Sequence, residues 1–152
     1  GTMTHNPFGP EITGDDIIDT LSFFDGWEDR YKYIIDLGRE LLPMDDGKKD
    51  DAHLVRGCQS QVWIDANVEE GRLWFETDSD AFIVKGLLAI VLAAYNGKTP
   101  EDILAFDIED YFRRLDLLSH LSPTRGNGLR AMVQHIRTVA ERHAALNHLS
   151  GP

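Results

Sequence analysis

"QVWIDANVEEGRLWFET", residues 61–77, decides the fold class because its apolar residues recur with a period of two. Val62, Ile64, Ala66 and Val68 alternate with Gln61, Trp63, Asp65 and Asn67, and Glu70-Gly71 supplies a turn before "RLWFET" returns. Alternation either side of a short turn predicts an antiparallel hairpin with one buried face. Trp63 and Trp74 fall on the less buried face. There they mark either a contact surface or a place for a second layer of helices.

Outward from the hairpin, the period changes to that of a helix. In "DSDAFIVKGLLAIVLAAYNGKTPED" (78–102), Asp78, Ser79 or Asp80 is expected to cap a helix that Asn96-Gly97 ends. Lys85 alone interrupts its apolar surface, so this helix must be central, packed on the sheet and beneath other helices. Thr99-Pro100-Glu101-Asp102 reads as the cap, first proline and acidic first turn of a short helix. A second short helix carries Ile108, Phe112, Leu115 and Leu118. Ser122-Pro123 opens a last helix along the stripe Leu129, Met132, Val133, Ile136, Val139 and Ala140, with Gly126 and Gly128 permitting close backbone approach in its first turns. Upstream, Ile17, Ile18, Leu21 and Phe24 form one helical stripe behind the caps Thr13 and Asp15. Trp27, Tyr31, Ile34, Ile35 and Leu41 form another, which Asp25 and Glu28 are expected to open as a capping box. "DDGKKDD" (45–51) reads as an exposed loop. Helices, hairpin, helices make an α+β domain, a small antiparallel sheet with helices packed against it. The domain is expected to span 13–148, after a flexible segment 1–12 that begins with an expression remnant, Gly1-Thr2.

The charge balance narrows the partners. A net charge of −11 repels nucleic acid and anionic membranes. No basic-then-apolar leader opens the sequence, and its longest apolar run, Gly86 to Tyr95, is about half of what a membrane span requires. The single cysteine excludes an internal disulfide, a Cys-rich zinc site and a CxxC redox pair. A cytoplasmic protein is expected.

That cysteine, Cys58, lies in "RGCQSQVW" (56–63), poor company for a core residue. Gly57 lets the chain turn, and Arg56 is expected to lower the thiol pKa, the thiolate being the reactive form. Two uses of such a thiol compete with simple burial. Hydrolysis requires a base, for which His53 and His120 are the available histidines, and an oxyanion hole. Thiol or sulfur exchange requires neither. Metal binding fits poorly, since no HxxxH or HExxH pair and no EF-hand spacing is present. An acidic adaptor with an incidental cysteine is the remaining class.

Four segments together resemble the SufE-type sulfur acceptors and the related CsdE proteins: "WEDRYKYIIDLGREL" (27–41), "GCQSQVW" (57–63), "DSDAFIVKGLLAIVLAAYNGKTPEDI" (78–103) and "HLSPTRGNGL" (120–129). "NPFG" (6–9) is similar to CsdE, and Gln59-Ser60-Gln61 is similar to SufE. The resemblance implies a fold like that of IscU-type scaffolds and a carrier of sulfur. A cysteine desulfurase dependent on pyridoxal phosphate (PLP) presents a persulfide. Cys58 accepts its terminal sulfur, the desulfurase is stimulated, and the sulfur passes to an iron–sulfur scaffold or another acceptor. PLP and the cluster belong to those partners, so no cofactor is expected here. Arg56, Gly57, Gln59, Ser60 and Gln61 are expected to shape the loop, and Asp78, Ser79, Asp80 and Arg125 to contact the partner.

Overall fold

The structure is a computed structural model that describes residues 5–150, with side chains through Asn147. Six α-helices surround one hairpin: α1 (Gly14–Leu21), α2 (Trp27–Arg39), β1 (Val62–Glu69), β2 (Arg72–Ser79), α3 (Phe82–Tyr95), α4 (Pro100–Ala105), α5 (Ile108–Leu115) and α6 (Pro123–Ser150). Among the described residues no helix is long and apolar enough to cross a membrane. The antiparallel register pairs Val62 with Ser79 and Glu69 with Arg72, and positive φ at Glu70 and Gly71 closes the turn.

The alternation read from the sequence sorts the hairpin's faces. Val62, Ile64, Leu73 and Phe75 are buried together against α3, which lies at the centre as its all-apolar surface requires. Every residue from Gly86 to Tyr95 is buried. Glycines bring α2 and α3 into close contact, because a Cβ on Gly86 would collide with the Ile34 carbonyl and one on Gly38 with the Gly86 amide. The opposite hairpin face is covered by polar groups rather than helices. Asp65 and Glu76 oppose each other in the register, and Lys48 bridges them at 3.1 and 2.9 Å. Lys49 reaches Asp78 and lies over Trp63, while His5 stacks on Trp74. The "DDGKKDD" stretch is thus a short 3-10 turn (Asp46–Lys48) that neutralises the outer face.

Several expectations change. Asp78 and Ser79 do not cap α3: they extend β2, Ala81 is the cap, and Ser79 Oγ accepts only the Ala81 N–H. The strand wins because its register still has partners there, Trp63 and Val62. Gly26, not Asp25, caps α2, without a side-chain bond, so the Asp25–Glu28 box does not form. Leu118 lies beyond α5, in a 3-10 turn (Leu118–His120). Of the expected flexible segment 1–12, residues 1–4 lie outside the described residues, and the rest is docked. Phe8 is fully buried, Asn6 Nδ2 donates to the Phe75 carbonyl, and the Leu42 N–H donates to Asn6 Oδ1. The Thr13, Thr99 and Ser122-Pro123 helix starts form as read.

Candidate functional site

The loop between the 3-10 turn and β1 carries Cys58, and two glycines place it. Gly57 has φ +95°, a left-handed conformation that a side chain strains to adopt, and it turns the chain under α6 beside Ala131. Gly128 in α6 lies directly against the thiol. A Cβ there would stand 3.7 Å from Cys58 Sγ, which instead donates to the Gly128 carbonyl at 3.5 Å. The thiol is half-buried and free. It opens into a pocket of about 120 Å³ with an apolar back wall of Val84, Leu87 and Met132. Gln59, Ser60, Ser122, Thr124 and Arg125 form the polar rim.

Electrostatically the site differs from expectation. Burial pushes the Cys58 thiol above its ordinary pKa. Arg56 does not line the pocket. It is exposed and faces a groove on the other side of the loop, so sequence adjacency misplaced the cation. Arg125 is the charged residue of the pocket, brought there by the first turn of α6, where its own N–H is held by Ser122 Oγ. Among the described residues no histidine or carboxylate lines the pocket. His53 is engaged by Asp50 and Asp65, and His120 stacks on Trp27.

Of the residues expected to form the site, the structure brings Cys58, Gln59, Ser60 and Arg125 together around the pocket, with Gly57 at the turn of the loop. Gln61 and Asp80 instead latch the open end of the hairpin: the Gln61 N–H donates to Asp80 Oδ1, and the Asp80 N–H donates to the Gln61 carbonyl. Asp78 and Ser79 are buried and do not line the thiol pocket. Burial raises the Asp78 pKa, but the Lys49 ammonium, the Ser79 N–H and Lys85 outweigh it and leave the carboxyl below its ordinary value. Sequence reasoning missed Thr124, Ser122, Val84, Leu87 and Met132 as pocket residues. The signal for α6 was present in Gly128, which lies against the sulfur.

Comparison with known proteins points to one family. The model of the SufE family, the Fe-S metabolism associated domain, matches residues 15–140. An uncharacterized SufE-like protein of Rhizobium meliloti (strain 1021) is 45% identical over 131 residues, covering 84% of this chain and 94% of the relative. A second, from Rhizobium etli, is 46% identical over 135 residues, covering 86% and 91%. Among solved structures, the solution structure of a hypothetical protein from Thermus thermophilus superposes with a TM-score of 0.71 over 93% of this chain and 99% of that one. At 18% identity it shows the fold alone.

Proposed function

The chain belongs to the SufE family of Fe–S metabolism, and from that premise we propose that it is a cytoplasmic sulfur carrier that works through Cys58. The donor is a PLP-dependent cysteine desulfurase bearing a cysteine persulfide. The Cys58 thiol gives up its proton, and its thiolate attacks the terminal sulfur. A new S–S bond forms at Cys58, the donor's S–S bond breaks, and the donor cysteine leaves as a thiolate. The persulfide then passes to an iron–sulfur scaffold or another acceptor by the same exchange. No electrons are gained or lost overall, and this chain requires no cofactor of its own.

The observation that carries the reading is the composition of the pocket. A free, half-buried thiol faces a space with an apolar back and, among the described residues, one cation and no base. Hydrolysis lacks its base and orienting group there, whereas sulfur exchange needs only access and deprotonation. The tucked thiol, raised in pKa, is protected in the free protein. Docking of the desulfurase swings the 55–61 loop outward about Gly57 and thereby stimulates turnover.

Intact-mass analysis after mixing with desulfurase, PLP and L-cysteine tests the proposal. One added sulfur atom on Cys58 is expected, and none with Cys58→Ser, which still docks. An unmodified mass on the wild-type chain refutes the carrier role. A Cys58→Ser variant that stimulates the desulfurase as well as wild type makes the chain an adaptor instead. Hydrogen exchange with and without desulfurase tests the swing, which unchanged protection at 55–61 would contradict.

A further inference from the structure

The two edges of the hairpin are treated differently. The outer edge of β2 is closed at Leu73 and Phe75, where the Leu73 N–H donates to the Lys98 carbonyl, the Gly97 N–H to the Leu73 carbonyl, and the Asn96 and Asn6 side chains satisfy the Phe75 backbone, and its next outward residue, Thr77, is buried. The outer edge of β1 is closed only at its start. There the Val55 N–H donates to the Val62 carbonyl at 2.8 Å and the Ile64 N–H to the His53 carbonyl at 2.9 Å. Residues 50–53 then turn away. The next outward groups are the Ile64 carbonyl and the N–H and carbonyl of Ala66 and Val68. They have no hydrogen-bond partner among the described residues. An unpaired strand edge is a template for another strand, which proteins ordinarily cover or charge.

This edge faces a groove of about 670 Å³ whose far wall is α6. The α6 residues that line it, Ala131, Gln134, His135, Thr138, Val139 and Arg142, follow the three-and-four spacing of one helical face. They extend it for about 16 Å, long enough for a short strand and far longer than a small anion needs. The floor is apolar through Ile64 and Ala66, and Val68 continues the core face of β1 into solvent at 48% exposure. The rim carries Arg56 and Arg142, neither of them in an ion pair among the described residues. Asp65 is already held by Lys48 and His53, which leaves Asp51 as the one lining carboxylate outside an ion pair among the described residues.

We infer that the open edge of β1, from Ile64 to Val68, takes an extended, carboxylate-bearing segment of a protein partner as an added strand, with Arg56 and Arg142 facing its acidic side chains. Strand addition supplies main-chain hydrogen bonds, and side chains on alternate positions read the groove. A second copy of this chain is the poorer occupant, because two bodies of charge −11 repel. The surface lies on the far side of the 51–57 loop from the thiol pocket and does not depend on the thiol's chemistry.

Hydrogen exchange on the full chain tests the inference. It is measured alone, with a synthetic peptide of alternating valine and glutamate, and with its valine–lysine counterpart. In the chain alone the Ala66 and Val68 amides exchange as free edge amides. The glutamate peptide at saturation slows them by about tenfold, a partner-induced closing of a local opening, and the lysine peptide does not. Arg142→Glu weakens that protection, and Val68→Glu, at an exposed edge position, abolishes it by like-charge repulsion without lowering the melting temperature. Protection already present in the dilute free chain overturns the inference, as does an equal response, or none, to both peptides. Protection that rises with the chain's own concentration also overturns it and assigns the edge to a second copy.

Discussion

Replacing Gly128 by alanine separates the two tasks of the α6 N-terminus, holding the helix and housing the sulfur. Gly128 lies inside α6, where alanine is favoured over glycine by about 0.8–1.0 kcal/mol. The added Cβ meets Cys58 Sγ at 3.7 Å and the Cys58 backbone at 4.0 Å, ordinary contacts that require no displacement. The folded chain therefore gains stability, read as a melting temperature higher by roughly 2–4 °C. The pocket loses space at the same time. A persulfide extends the side chain by one S–S bond of roughly 2 Å, and a methyl already at van der Waals distance from Sγ leaves no place for the terminal sulfur on that side. If the sulfur forfeits about five packing contacts at ~0.1–0.2 kcal/mol each, its shelter falls by ~0.5–1 kcal/mol, a factor of about two to five. The assay is the half-life of the Cys58 persulfide in excess dithiothreitol, followed by intact mass. Gly126→Ala is the control, since its Cβ meets only Leu118 at 3.8 Å and lies outside the pocket. It gains the same helix propensity and keeps the wild-type half-life. If both variants melt higher and both persulfides decay at the wild-type rate, the sulfur is not sheltered beside Gly128.

Three further outcomes follow from the same geometry. Gly57→Ala places a side chain at φ +95° and 3.3 Å from the Ala131 Cβ. It is expected to cost about 1–2 kcal/mol in chemical denaturation and to speed alkylation of Cys58 by loosening the loop, so unchanged stability would show that the turn is not strained. Because burial raises the Cys58 pKa, the pH midpoint of iodoacetamide alkylation lies higher in the folded chain than in denaturant. The raised value also means that this group's contribution to stability is full below the unfolded thiol's pKa and is lost as pH rises through the folded one. A midpoint at or below that of the denatured chain removes the protected-thiol reading. Asp78 runs the other way. Its lowered folded pKa contributes stability above the ordinary carboxyl range, lost as pH falls through the folded value. Asp78→Asn leaves Lys85 without its carboxylate and Lys49 with Asp46 alone, costs about 1–3 kcal/mol and flattens the acid limb of a stability–pH profile; an unchanged acid limb would mean that Asp78 does not carry it.

The parts of the fold that were legible are those in which a local pattern and its tertiary consequence coincide. Val62, Ile64, Leu73 and Phe75 alternate because one face of the hairpin meets α3, and α3 is apolar all round because helices and sheet enclose it. The capping of α3 was illegible for the opposite reason. Asp78 and Ser79 are good caps by residue type, yet the ladder of β1 extends far enough to claim them, and nothing local in "DSDA" reveals the length of the other strand. The docking of residues 5–12 was hidden likewise, because Asn6 and Phe8 find partners at Leu42, Phe75 and Asn96, distant in sequence. At the site, Cys58, Gln59 and Ser60 were readable as one loop. The wall opposite them, from α3 and α6, assembles only in three dimensions. Arg56 shows the hazard of adjacency: a left-handed glycine between it and Cys58 sends the two side chains to opposite sides of the loop.

A thiol held in this way constrains what its partner supplies. The pocket offers Cys58 a hydrogen-bond acceptor, the Gly128 carbonyl, which favours S–H over the thiolate, and an apolar wall that does the same. Among the described residues no side chain that lines the pocket can remove the proton. On the carrier reading, the reactive state is therefore one in which the loop has left Gly128, and deprotonation takes place in surroundings that the desulfurase completes. On the same reading the loaded state has the reverse preference. A persulfide that returns to the pocket regains the apolar wall and the Arg125 guanidinium beside the rim, and bulk thiols are kept from its terminal sulfur. The asymmetry assigns the two states to different surroundings, acceptance outside the pocket and storage within it. It also makes Gly57 and Gly128 matter to the carrier as much as any polar residue of the loop, the first by letting Cys58 travel and the second by leaving room for what it brings back.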